Sequence, residues 1–84
     1  MLTIKVLGPG CANCERVYQV AVSALQSAGV EGATIEKVTD RAEYPKYGAL
    51  FTPGLVVNEK LVCAGRIPSQ AEVVTWLINA LAAG

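Results

Sequence analysis

Two cysteines separated by two residues, Cys11 and Cys14, lie where one predicted element of the chain ends and the next begins. Apolar and polar residues alternate over residues 2 to 7, which is typical of a strand. Apolar residues then recur every three or four positions over residues 12 to 28, which is typical of a helix. Because Gly-Pro-Gly at residues 8 to 10 separates the two patterns, we expect the cysteine pair at a turn from strand to helix.

The middle of the chain predicts a second strand and then a short helix. Residues 33 to 38 are rich in β-branched side chains, which favour a strand. Asp40 and Glu43 have the spacing of a capping box, which marks the start of a helix. We expect Pro45 to distort this helix and Gly48 to end it.

The last part of the chain predicts a hairpin followed by a helix. Two short apolar runs, residues 55 to 57 and 60 to 63, are separated by a predicted tight turn at residues 58 and 59, which indicates an antiparallel hairpin. Ser69 and Glu72 form a second candidate capping box. Beyond it, the apolar face of a final helix is supplied by Val73, Trp76, Leu77, Ala80 and Leu81.

The predicted order of elements is β-α-β-α-β-β-α, which indicates an α/β fold. A strand, a crossover helix and a second strand must be parallel and right-handed, whereas the closing hairpin is antiparallel. The expected result is a mixed four-stranded sheet with helices on both faces. A chain of 84 residues can build one core, so we expect a single domain over residues 1 to 84.

Composition excludes several classes of function. Seven basic residues balance seven acidic ones without a basic stripe, which argues against nucleic acid as a partner. No apolar run approaches the ~20 residues needed to cross a membrane, and the amino terminus does not have the pattern of a secretion signal, so we expect a cytoplasmic protein. The absence of histidine excludes Cys-His and Ser-His nucleophile systems and imidazole metal ligands. We expect no bound cofactor.

The cysteine pair favours redox chemistry. Residues three apart on a helix have β-carbons ~5–6 Å apart, so a disulfide can open and close in place. Cys14 is in register with the apolar positions of the helix, whereas Cys11 precedes its first full turn and should face solvent. Since the start of a helix lowers the pKa of a thiol, to roughly 3.5–7.5 in such pairs, Cys11 is the expected attacking thiolate and Cys14 the expected resolving thiol. Both are the candidate catalytic residues.

Two alternatives for the cysteines remain open. The run Gly-x-x-Cys-x-x-Cys also resembles the heavy-metal-associated copper chaperones, in which two thiolates hold Cu(I), so the pair could serve a soft-metal binding protein or metallochaperone. Tetrahedral zinc would need two further ligands, such as Cys63, carboxylates or a second chain. The pair could also be purely structural. Cys63, on a predicted strand, is expected to be a small core residue, with a third redox thiol as the alternative.

The order of Cys-x-x-Cys after a first strand, Thr52-Pro53-Gly54 before a hairpin, and a terminal helix resembles the thioredoxin fold. The short chain is similar, over essentially its whole length, to the small glutaredoxin-like redox-active disulfide proteins of bacteria and archaea. The resemblance implies a cis peptide bond before Pro53, beside the cysteine pair, and a backbone contact between Thr52 and a bound substrate. Where thioredoxins carry a buried carboxylate on the first strand, this chain has Lys5.

The resemblance also implies a function and a set of partners. A thiol-disulfide oxidoreductase or electron carrier of this kind exchanges electrons with the disulfides of substrate proteins. It is regenerated by an upstream dithiol or flavin-dependent reductase. We expect such a protein to be a monomer that contacts neither nucleic acid nor membrane.

Overall fold

The computed structural model describes residues 2–10, 12–49 and 51–83 of the chain. The predicted order of elements is confirmed, with bounds within one or two residues of those expected. The elements are β1 (Thr3–Leu7), α1 (Ala12–Ser27), β2 (Thr34–Val38), a 3-10 helix (Arg41–Tyr47), β3 (Gly54–Val57), β4 (Lys60–Ala64) and α2 (Gln70–Ala83). The short second helix is therefore a 3-10 helix, in which Pro45 lies.

The four strands form one mixed sheet in the order β2-β1-β3-β4. β1 runs parallel to β2 and antiparallel to β3, and β3 runs antiparallel to β4. This arrangement confirms the α/β class and the expected mixed sheet. Because β1 has a strand on each side, its carboxyl end at Leu7 lies near the middle of one end of the sheet. There the chain turns towards α1.

One face of the sheet is covered by both long helices. Alternate residues of β1, Ile4 and Val6, point into this core together with Leu55 and Val57 of β3. The helices contribute Val17, Ala21 and Ala24 from α1 and Val73 and Leu77 from α2. The three- and four-residue spacing of these positions is the reason that each helix buries one side against the sheet.

The 3-10 helix covers the opposite face. Tyr44 packs there against Leu7 and Val56, and its hydroxyl donates a hydrogen bond to the carbonyl of Thr39 at 3.3 Å. Tyr44 is buried in this second core, and Tyr47 is half buried. Helices therefore lie on both faces of the sheet.

The two candidate capping boxes differ in the structure. Ser69 and Glu72 form a complete box: the Ser69 hydroxyl accepts from the Glu72 N–H at 3.2 Å, and the Glu72 carboxylate accepts from the Ser69 N–H at 3.1 Å. Asp40 caps the 3-10 helix through the N–H of Ala42 at 3.0 Å, whereas the Glu43 carboxylate pairs with Lys46. The spacing in the sequence alone does not show whether both hydrogen bonds of a capping box form or only one.

A tight turn at residues 58 and 59 joins β3 to β4, as predicted. Asn58 and Glu59 both have positive φ, 50° and 67°, a combination typical of a two-residue hairpin turn. The Asn58 N–H donates to the Thr3 carbonyl at 2.8 Å, and the Asn58 side-chain oxygen accepts from the Thr3 N–H at 3.0 Å. The hairpin turn is therefore tied to the start of β1, far from the edge where β1 leads into α1.

Candidate active site

Cys14 lies in the first turn of α1 and is only 5% exposed. It lies on the same side of the helix as the buried residues Val17 and Ala21, so the expectation that Cys14 belongs to the apolar face is confirmed. Cys11, the expected attacking thiolate, lies outside the described residues. Its place in the chain, directly before the first residue of α1, follows from the bounds of the helix.

Gly8 lies against the side chain of Cys14 and close to the backbone of Pro53. A β-carbon at Gly8 would overlap Sγ of Cys14 and would lie 3.2 Å from its β-carbon. The same position is 4.0 Å from the α-carbon of Pro53. Glycine at position 8 therefore lets the end of β1 pass between the cysteine and the proline loop. The sequence predicts Gly8 as the end of a strand, but the contact between Gly8 and Cys14 is seen only in the folded structure.

The loop that carries Thr52 and Pro53 lies beside this contact. The Thr52–Pro53 peptide bond is cis, as the family resemblance implies. Pro53 is buried and Thr52 is exposed. The carbonyl of Pro53 accepts a hydrogen bond from the N–H of Gly65 at 2.9 Å, which ties the loop to the segment between β4 and α2. Gly65 has a φ of 79°, a conformation that glycine adopts at little cost.

Phe51, which precedes this pair, was not singled out from the sequence. Its side chain is 69% exposed, and a β-carbon at Gly65 would lie 3.1 Å from the β-carbon of Phe51. An isolated phenylalanine in a loop carries no periodic signal. Its position beside Pro53 is the one feature of the sequence that could have drawn attention to it.

Residues 2–78 match the family model described as "Thioredoxin domain". The chain belongs to this thioredoxin-domain family. A protein named thioredoxin from Methanocaldococcus jannaschii is 34% identical over 73 residues, which are 87% of this chain and 83% of that protein. A second, also named thioredoxin, from Methanothermobacter thermautotrophicus, is 33% identical over 73 residues, 87% of this chain and 94% of that protein.

Membership of the family confirms the resemblance to the thioredoxin-like fold, which the element order and sheet of this domain also match. The activity of thioredoxins is thiol-disulfide exchange, so a thiol-disulfide oxidoreductase is the function supported at the level of the family. The narrower likeness to glutaredoxin-like proteins stays a prediction.

An ion pair lies near the first turn of α1 in this thioredoxin domain. Glu15 directly follows Cys14, and a carboxylate there would disfavour a neighbouring thiolate. The ammonium of Lys37, on β2, forms an ion pair with the Glu15 carboxylate and lies 4.7 Å from the centre of the Tyr18 ring. Lys37 therefore offsets the negative charge of Glu15 beside the helix start.

Lys5, which stands where thioredoxins carry a buried carboxylate, forms hydrogen bonds away from the cysteine site. Its ammonium donates to the Tyr47 hydroxyl at 2.7 Å and to the Glu59 carboxylate at 3.0 Å. These hydrogen bonds, the one to Tyr47 first, raise the pKa of Lys5 above its ordinary value. Glu59 belongs to the hairpin turn, at the end of the sheet opposite the contact between Gly8 and Pro53. Lys5 thus stabilises the remote end of the domain.

Cys63 is a core residue of this thioredoxin domain, as expected. It is 7% exposed, and its Sγ donates to the carbonyl of Arg66 at 3.7 Å. Burial raises the pKa of the Cys63 thiol, while the positive charge of Arg66 acts in the opposite direction. These surroundings favour the neutral thiol.

Two further features concern metal and membrane. Across residues 2–10, 12–49 and 51–83, no group of three or more histidine, cysteine, aspartate or glutamate residues is arranged to hold a metal ion. That part of the chain therefore provides no ligand cluster for the zinc alternative. No helix in the described part of the chain combines the length and apolar character needed to span a bilayer.

Proposed function

We propose that this thioredoxin domain is a thiol-disulfide oxidoreductase that reduces protein disulfides through Cys11 and Cys14. The observation that carries the proposal is the position of the Cys14 sulfur, buried against Gly8 beside the Pro53 loop at the first turn of α1. A buried thiol is a poor target for an external disulfide. The same thiol can still attack a bond formed by a cysteine three residues earlier in the chain.

The proposed reaction has two exchange steps. The thiolate of Cys11 attacks one sulfur of the substrate disulfide, so that a mixed disulfide forms and one substrate thiolate leaves. The thiolate of Cys14 then attacks Sγ of Cys11, which forms the Cys11–Cys14 disulfide and releases the second substrate thiolate. The substrate gains two electrons and takes up two protons, and the cysteine pair loses two of each.

The surroundings of Cys14 support this division of roles. The amide groups at the start of α1 favour an anion, which lowers the cost of forming a thiolate in the first turn. Thr52 is exposed beside the site, and none of the backbone hydrogen bonds between described residues involves it. Its backbone groups are therefore available to an extended substrate chain, the role that the family resemblance implies for Thr52 and Pro53.

The cycle needs a source of electrons. We propose a dithiol or flavin-dependent reductase as the partner that returns two electrons to the Cys11–Cys14 disulfide. A monomeric state and a cytoplasmic location stay predictions from the sequence. The direction of electron flow depends on the reduction potential of the pair, which spans approximately −270 to −120 mV in related dithiols.

Single-cysteine variants test the proposal, with bis(2-hydroxyethyl) disulfide as substrate. C11S should abolish the reaction of the reduced protein. C14S should stop after the first step and accumulate a mixed disulfide, whose intact mass exceeds that of the protein by one substrate half. C63A is the matched control and should react like the wild type. Full activity of C11S, or equal loss in C11S and C63A, would contradict the proposal.

A further inference from the structure

Phe51 is the most exposed of the large apolar side chains that the structure describes as exposed. It is 69% exposed, against 54% for Ile78 and 51% for Leu81, which both lie on α2. Phe51 belongs to neither of the two buried clusters on the faces of the sheet. Packing within the domain therefore does not account for a phenylalanine at this position.

The backbone holds Phe51 close to the cysteine site. Two residues along the chain span no more than about 8 Å, so the α-carbon of Phe51 lies within that distance of the α-carbon of Pro53. Pro53 in turn lies beside the contact between Gly8 and Cys14. The exposed ring and the buried sulfur thus flank the same short loop.

Gly65 lies next to the base of the Phe51 side chain. A β-carbon at Gly65 would lie 3.1 Å from the β-carbon of Phe51, and 3.7 Å and 4.0 Å from two atoms of its ring. The Gly65 N–H also donates to the Pro53 carbonyl at 2.9 Å. The loop that carries Phe51 and the segment after β4 therefore lie together at the base of the ring, while most of Phe51 stays in solvent.

From this geometry we infer that Phe51 is a specificity-determining residue, which contacts an apolar side chain of the substrate polypeptide next to its disulfide. The inference rests on the proposed function. The substrate class is protein disulfides that lie in extended segments and have apolar residues next to the reacting cysteine. An extended chain that passes Thr52 presents side chains on alternate sides, so a residue one or two positions from the reacting cysteine can reach the ring. A small disulfide without such a neighbour makes no contact with Phe51.

The expected effect is the loss of a partly buried aromatic contact. Removing the ring should slow the reaction with an apolar substrate about tenfold, which corresponds to about 1.4 kcal/mol. A substrate with only polar neighbours should change by less than about twofold, since there is little apolar surface to lose.

The test measures second-order rate constants for the fully reduced protein in single turnovers quenched by alkylation. The substrates are a cystine peptide with Leu and Val beside the disulfide, the same peptide with Ser and Gly there, and bis(2-hydroxyethyl) disulfide. F51A should slow only the first substrate, and F51L should restore most of its rate. I78A, which removes an exposed apolar side chain from α2, is the matched control and should change none of the three rates.

Two outcomes would overturn the inference. In one, F51A slows the apolar and polar peptides by the same factor. In the other, F51A slows bis(2-hydroxyethyl) disulfide as much as the peptides, which would mean that the ring only supports the loop. Failure of the wild-type protein to reduce any of the three substrates would overturn the proposed function and this inference with it.

Discussion

Gly8 and Cys14 are in direct contact, although Gly8 directly follows β1 and Cys14 lies in the first turn of α1. A β-carbon at Gly8 would overlap Sγ of Cys14. The φ of Gly8 is not positive, so the backbone itself accepts other residues there. Position 8 therefore needs glycine because the Cys14 sulfur leaves no room for a side chain, and not because of the backbone conformation of the turn.

Replacing Gly8 with alanine should displace the sulfur of Cys14 or the end of β1. We expect G8A to lose about 1–3 kcal/mol of unfolding free energy, the usual cost of an extra methyl group in a packed site. It should also slow the second exchange step, because the sulfur of Cys14 moves. Urea unfolding and single-turnover alkylation measure the two effects.

A double-mutant cycle isolates the contact between Gly8 and Cys14. In a C14A background the sulfur is absent, so G8A should cost less than in the wild type. G54A is the matched single variant, because a β-carbon at Gly54 would meet Leu7 at 3.4 Å, an ordinary contact distance. Equal losses for G8A in both backgrounds would contradict the assigned contact.

Glu72 should give the domain a pH-dependent stability. Hydrogen bonds from Arg66 and from the Ser69 N–H lower the pKa of Glu72 from 4.5 to about 2. Because this pKa is lower in the folded protein, its contribution is fully present above pH 4.5 and is lost as the pH falls towards 2. The difference in unfolding free energy between the wild type and E72Q should therefore shrink over that range. E31Q, which replaces an exposed carboxylate between α1 and β2, is the matched control.

Cys63 should react slowly with alkylating agents. Its thiol is buried and its pKa is raised, so little thiolate is present at neutral pH. We expect iodoacetamide to modify Cys63 in the folded C11S/C14S variant about tenfold more slowly than free cysteine, as followed by intact mass. Modification at the rate of free cysteine would show that the segment around Arg66 opens readily.

The two cores on opposite faces of the sheet should unfold together, as expected for a single domain over residues 1 to 84. Trp76 packs against the core under the long helices, and Tyr44 lies in the core under the 3-10 helix. We expect Trp76 fluorescence and the NMR signals of the Tyr44 ring to give the same midpoint in urea. Separate midpoints would indicate that the 3-10 helix unfolds on its own.

Much of the local structure could be predicted because its signals are local. The alternation of β1, the spacing of apolar residues in α1, the turn at Asn58 and the box formed by Ser69 and Glu72 each depend on residues a few positions apart. The burial of the Tyr44 side chain could not be predicted, because it depends on where β1 and β3 place Leu7 and Val56.

By itself the sequence determined the order of strands and helices, the start of α2 and the face of α1 on which Cys14 lies, since periodicity and capping act within one segment of backbone. Only the tertiary structure decided that Gly8 lies against Cys14 and close to Pro53, that Lys5 is paired with Tyr47, and that Phe51 stays in solvent. These relations join residues far apart in the chain, and their positions depend on the register of the whole sheet.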